Sequence, residues 1–221
     1  MSNEIVNDLV YTYHPMTHRE LQELIWDLVK QGITDLNCID TSHITHFSFL
    51  FSDKMPNIEK IDISLWDVSN GVEFLHTFKN ASKFNCDLSN WNVSNARNMR
   101  GMFWGCKSFT SDLSGWDVSQ CNSFGDMFHS CENFKSDLSK WKVDNCEEFS
   151  RMFCGCKKFK SDLSGWNTEK GTSFTGMFFD CKEFESDLSG WKVGKATTLS
   201  GMFSGCKKFT SDLSGWDVGQ C

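Results

Sequence analysis

An α/β repeat solenoid is the fold expected from this sequence, an array of short parallel strands and short helices opened by one N-terminal helix. Three observations predict it. Trp recurs at 66, 91, 116, 141, 166, 191 and 216, a 25-residue period without a gap. Met-Phe at 102–103, 127–128, 152–153, 177–178 and 202–203, Cys at 106, 131, 156, 181 and 206, and Phe at 84, 109, 134, 159, 184 and 209 keep the same period. One such unit cannot bury its own Trp, Phe and Met, whereas stacked neighbours bury them as continuous ladders.

Residues 1–13 read as an N-terminal tail. They contain no positive start followed by an apolar run, so no secretory signal is read. Residues 14–36 read as a capping helix. Thr17-His18-Arg19-Glu20 fits a capping box, and Leu21, Leu24, Ile25, Leu28 and Val29 form one apolar stripe. Gly32 is placed to end the helix in the left-handed conformation. Residues 37–61 are a degenerate first repeat. Asp40-Thr41-Ser42 with Phe47 and Phe51 parallels Asp67-Val68-Ser69 with Phe74 and Phe78, at an offset slightly longer than the regular period. Residues 62–221 are regular 25-residue repeats, the last one incomplete.

Within a repeat, Leu113-Ser114-Gly115-Trp116-Asp117-Val118-Ser119-Gln120-Cys121 follows the leucine-rich-repeat strand pattern, with Trp and Val in place of two leucines. Trp116 and Val118 then share one face of a short strand. The second half changes period. Cys121, Phe124, Met127, Phe128 and Cys131 give a stripe of helical spacing, so a short helix or tight helical turn is expected there.

The pattern D-L-S-x-W-x-V with M-F-x-x-C-x-x-F resembles the bacterial surface protein (BspA-like) leucine-rich repeat, over roughly residues 13–221. That resemblance implies surface-exposed or secreted proteins linked to adhesion and protein–protein contact. The absent signal and the odd, ladder-like set of 11 Cys favour instead a reducing, cytoplasmic compartment.

Composition excludes several classes. The 20 Phe and 9 Trp are too many for a disordered chain. A net charge of −7 argues against general nucleic-acid binding. No apolar stretch approaches the ~20 residues that span a bilayer, so no membrane insertion is expected. No catalytic motif and no convergent acid, base and nucleophile set is present, so no enzyme activity is expected. No metal or cofactor is expected either. One Asp and one Ser per repeat supply too few oxygens for calcium, and Cys38, His43 and His46 lack a fourth partner for zinc. The row Asp62, Asp87, Asp112, Asp137, Asp162, Asp187 and Asp212, each followed two positions later by Ser, reads as local backbone capping.

Function is therefore sought on the outer face. If the strand pattern holds, residues flanking Trp and Val point outward on a concave sheet, and they vary while the interior repeats. This predicts a non-enzymatic protein-interaction module, with a protein partner of unknown identity bound around Lys140, Lys142, Asn167 and Lys192. The alternative is a structural or adhesive surface protein that self-associates. The final repeat, around Trp216 and Val218, shows no polar cap, and an uncapped strand pairs with another chain. A homodimer through this C-terminal repeat is the corresponding expectation.

Overall fold

The computed structural model describes residues 11–221; the tail read over residues 1–13 lies outside the described residues as far as residue 10. The single α-helix among the described residues, α1, spans His18–Lys30. Thr17 caps it by accepting a hydrogen bond from the Glu20 N–H (3.2 Å), and the Glu20 carboxylate reaches back to the Met16 N–H (2.7 Å). Leu21, Ile25, Leu28 and Val29 are its buried face. Gly32, at φ +84°, closes it: its N–H bonds the Val29 carbonyl and the Ile33 N–H bonds the Leu28 carbonyl, both at 3.0 Å. α1 lies beside the first coil, with Gln22 Nε2 donating to the Phe49 carbonyl at 3.1 Å.

The rest of the chain winds in coils that each take up one repeat, 61–85, 86–110, 111–135, 136–160, 161–185 and 186–210, with a partial coil over 211–221. Their side chains stack in register. Phe78, Phe103, Phe128, Phe153, Phe178 and Phe203 form one ladder with ring centroids 5.3–5.8 Å apart. Phe84 through Phe209 form a second, and within each coil the two ladders touch, as at Phe103–Phe109 (4.1 Å). Each Trp of the ladder has its indole N–H on a carbonyl of the preceding coil, for example Trp116 to Leu88 (3.0 Å) and Trp141 to Leu113 (2.9 Å). An aromatic side chain buries ~150–250 Å², so these ladders dominate the interior.

The thiols are part of the same interior. Cys131 and Cys156 each point Sγ at a carbonyl of the preceding coil, 2.9 Å to Phe103 and 3.0 Å to Phe128. Burial pushes their ionisation well above the ordinary thiol value, and pushes Cys121 up to about 12. All eleven cysteines are free.

The backbone, however, is not an α/β solenoid. Among the described residues there is no sheet, and no α-helix in any coil. The described chain is mostly turns, and its only pairings among the described residues are single-residue parallel bridges. One series runs along His46, Glu73, Asn98, Ser123, Glu148, Ser173 and Thr198, with two more bridges at Tyr13–Ile39 and Asp35–Asp62. The stretch expected to be a strand is two successive turns, closed by Trp116 N–H to the Leu113 carbonyl (3.1 Å) and Cys121 N–H to the Val118 carbonyl (2.9 Å). Its apolar residues still face inward, because these turns bring Leu113, Trp116, Val118 and Cys121 to one side.

The expected helical turn fails for a related reason. Alternate N–H groups leave the coil: Phe124, Asp126, Phe128 and Ser130 donate to Glu148, Ser150, Met152 and Cys154 of the next coil at 2.7–2.9 Å. The intervening ones close local turns, Met127 to Phe124 (3.0 Å), His129 to Asp126 (3.1 Å) and Cys131 to Phe128 (2.9 Å). A helix bonds each N–H four positions back within itself. Here Asp126 (φ +57°) and Ser130 (φ +60°) adopt the left-handed conformation, which a right-handed helix excludes.

Candidate functional site around Trp104

Two positions of each coil adjoin this hydrogen-bonded strip and vary from coil to coil. One reads Phe49, His76, Gly101, Asp126, Arg151, Gly176; the other reads Ser52, Lys79, Trp104, His129, Cys154, Phe179. Of the nine Trp, Trp104 and Trp26 alone stand outside the 25-residue register, and Trp26 belongs to α1.

Stacking one coil on the next brings these residues together. Phe49 lies against His76 (5.3 Å between ring centroids), His76 against Trp104 (5.8 Å), and Trp104 against His129 (4.9 Å). Phe49 is 54% exposed and His76, Trp104 and His129 are half-buried, so this aromatic stripe reaches the surface. Gly101 permits the close approach: a Cβ there would lie 2.1 Å from His76 Nδ1.

Beside the stripe, Asp126 is a carboxylate with a side chain only 1% exposed. Arg100 from the preceding coil donates to it at 3.2 Å and Arg151 from the following coil at 2.9 Å. A buried charge is tolerated only when paired and hydrogen-bonded, and here two coils supply the pairing. His129 Nδ1 lies 3.7 Å from Asp126 Oδ1 and has no hydrogen-bond partner among the described residues. Burial holds the His129 imidazolium below its ordinary range; Asp126 opposes this and Arg151 adds to it. Burial likewise lowers His76. Cys154, half-buried nearby, is raised by burial, so it is a thiol rather than a thiolate at neutral pH.

Trp104 also borders an open groove of about 650 Å³. The groove crosses four coils, from Asp53 and Lys54 through Lys79 and Asn80 to Lys107 and Ser130. The Lys79 ammonium sits 4.2 Å from the Trp104 ring centroid. Asp53 accepts from the Ser82 N–H (2.5 Å). Lys107 lies 3.7 Å from Glu132, which Lys157 holds more closely at 2.7 Å. Lys54 and Lys79 have no carboxylate within ion-pair distance among the described residues.

The residues singled out by sequence lie elsewhere, at the Trp-x-Val corner. Lys140 and Lys142 line one shallow groove of about 360 Å³ with Asp117 of the coil before. Lys192 lines another of about 420 Å³ with Asp217, and its ammonium is 3.6 Å from Glu169. Asn167 lies on the coil between and donates to Asp144 at 2.9 Å. The four are exposed along one edge, but no single groove holds them and no sheet carries them. Trp216 is half-buried with its indole N–H on the Leu188 carbonyl (2.9 Å), and Val218 is 48% exposed. Sequence reasoning missed the Trp104 face. Its signals were a Trp out of register and a set of His that never recurs with the repeat. Among the described residues no group of three or more His, Cys, Asp or Glu converges as metal ligands.

These coils define a class: a repeat protein whose interior recurs with a 25-residue period while part of its outer face varies from coil to coil. The chain belongs to the family described as Mycoplasma protein of unknown function, DUF285, whose model matches residues 20–141 and 122–221. No curated protein and no solved structure matches the chain.

Proposed function

We propose that the chain is a non-enzymatic protein-interaction module. The observation that supports this reading is the contrast between a repeating interior and a varied polar surface. Packing constrains Trp, Phe, Met and Cys at fixed places in each coil, and leaves the outer positions free to recognise a partner. Two edges offer themselves, the Trp-x-Val corner with Lys140, Lys142, Asn167 and Lys192, and the stripe at Trp104. The resemblance to the bacterial surface leucine-rich repeat, with its link to adhesion, favours the same class. Photo-crosslinkers placed singly at Lys142 and at Phe49 test it, followed by affinity measurements on whatever each captures. Lys140→Glu with Lys142→Glu should weaken a corner partner about tenfold, as reversal of interfacial charge does. Loss of neither partner's affinity on substitution at either edge overturns the reading.

A second reading, self-association of the coil around Trp216 and Val218, rests on the exposed Val218 and the half-buried Trp216 ring. Light scattering across concentration, with Val218→Lys as control, tests it; a monomer at every concentration removes it.

A further inference from the structure

Charge is unevenly distributed on this chain. Its net charge is −7, yet the groove at Trp104 gathers Lys54, Lys79 and Lys107 around one lining carboxylate, Asp53, with Glu132 beside it 3.7 Å from Lys107 and held more closely by Lys157. Those three lysines come from three successive coils. The Asp53 carboxylate is already engaged with the Ser82 N–H. Asn80 and Ser130 border the same groove, and their side-chain polar groups make no hydrogen bond among the described residues.

We propose that this groove binds an acidic, extended segment of a partner protein, with carboxylates on Lys54, Lys79 and Lys107 and an apolar side chain against the Trp104 indole. The inference rests on the interaction-module reading and names the partner's chemistry at one of its edges.

Shape supports a peptide. At their single-residue bridges neighbouring coils take strand spacing, ~4.8 Å, so a groove across four of them is ~14 Å long and holds about four or five residues of extended chain at ~3.3 Å each. Alternate side chains of such a segment fall ~6.6 Å apart, within reach of lysines on neighbouring coils. The groove also places cations beside an aromatic ring, so a carboxylate drawing Lys79 off the indole uncovers apolar surface for the neighbouring side chain. Other polyanions fit less well. Nucleic acid needs a basic footprint many phosphates long, and three lysines on an acidic chain do not provide one.

The test uses the full chain and a fluorescein-labelled peptide, Glu-Glu-Leu-Glu-Glu-Leu-Glu-Glu, read by anisotropy. A Gln-for-Glu peptide, a heparin octasaccharide and single-stranded DNA are run beside it. The acidic peptide should bind, and its affinity should fall as salt shortens the range of the lysine charges. Lys54→Glu with Lys79→Glu should weaken it about tenfold or more, as loss of facing charges does at interfaces. Trp104→Ala should weaken it by a similar factor, and Lys79→Gln by less, with thermal melts confirming that each variant folds. Lys140→Glu with Lys142→Glu should leave it unchanged. The proposal is overturned if the acidic peptide does not bind, if its binding is indifferent to Lys54, Lys79 and Trp104, or if heparin or DNA binds more tightly through those residues. None of these outcomes touches the Trp-x-Val corner, whose crosslinking test judges the broader reading separately.

Discussion

At the scale of single residues, the recurring Asp and Ser hold successive coils together. Asp112 Oδ1 accepts from the Ser114 N–H (3.0 Å) and from the Ser136 hydroxyl of the next coil (2.9 Å), while that hydroxyl accepts from the Leu113 N–H (2.8 Å). The same relay recurs at Asp87 with Ser111 and at Asp162 with Ser186. Like charges at the spacing of stacked coils would otherwise raise one another's pKa. Here donated hydrogen bonds win: the Ser114 N–H, then the Ser114 and Ser136 hydroxyls, hold Asp112 below the ordinary carboxylate value, although Asp137 opposes them. Ser136→Ala leaves the buried Leu113 N–H without an acceptor. We expect a loss of ~1–3 kcal/mol, measured as a shift of the urea midpoint with an unchanged slope; no shift would show that the relay contributes nothing.

At the scale of elements, α1 and the coils are stabilised differently. α1 carries its own start and stop signals, from the Thr17 cap to Gly32. Thr17→Ala should cost ~1 kcal/mol, the usual effect of removing an N-cap side chain, and a thermal melt reports it. A coil has no such independence. Alternate N–H groups between residues 124 and 130 find acceptors on the next coil, so an isolated coil would leave them to water. Removing residues 111–135, one whole repeat, brings equivalent residues back into register, and a cooperative melt at lower temperature is expected. Removing residues 111–130, less than a repeat, sets Phe on unlike neighbours, and cooperative unfolding should be lost. Circular dichroism during heating distinguishes the two, because stability in a repeat array is a sum over units and their nearest-neighbour interfaces.

At the scale of the whole molecule, these repeated features set the response to acid. The carboxylates of Asp87, Asp112, Asp137, Asp162, Asp187 and Asp212 all titrate below their ordinary value, first because of the backbone N–H of the Ser two positions on. A group with a lowered folded pKa stabilises the fold above its unfolded pKa, and that contribution disappears as pH falls through the folded value. His76 and His129 are lowered as well, by burial, so they penalise the fold once pH drops below the ordinary imidazole value of 6.5. Stability should therefore be flat at neutral pH, weaken modestly below 6.5 and fall steeply below the ordinary carboxylate value of 3.8. Urea midpoints across pH check the order of the two steps. A midpoint that rises on acidification would contradict it.

Much of the interior was legible in the sequence alone. The 25-residue period sets which residues stack, and the inward set of Leu, Trp, Val, Phe, Met and Cys follows from it, because a side chain repeated at one place in every unit must meet its own kind above and below. The Asp-x-Ser pairing was legible too, since a short carboxylate bonds the backbone two positions on wherever it lies. The helix α1 was legible from its cap, stripe and Gly32, but the secondary structure of the coils was not. Apolar side chains at these short spacings are shared by strands, helices and successive turns, and only the partner of each N–H separates them. At Phe124 and Phe128 that partner lies on the next coil, almost a full repeat along the chain, beyond any local pattern. The Trp104 face was hidden for the same reason. Trp104, His129 and Asp126 are ordinary one by one. They become a site only because stacking sets coils 86–110, 111–135 and 136–160 side by side, with Arg100 and Arg151 closing on one carboxylate from either side. Which recurring apolar side chains are buried could be read from the chain alone, because their burial follows the period. What the backbone of the coils does and which surface residues meet were set by the folded molecule, because both depend on neighbours one coil away.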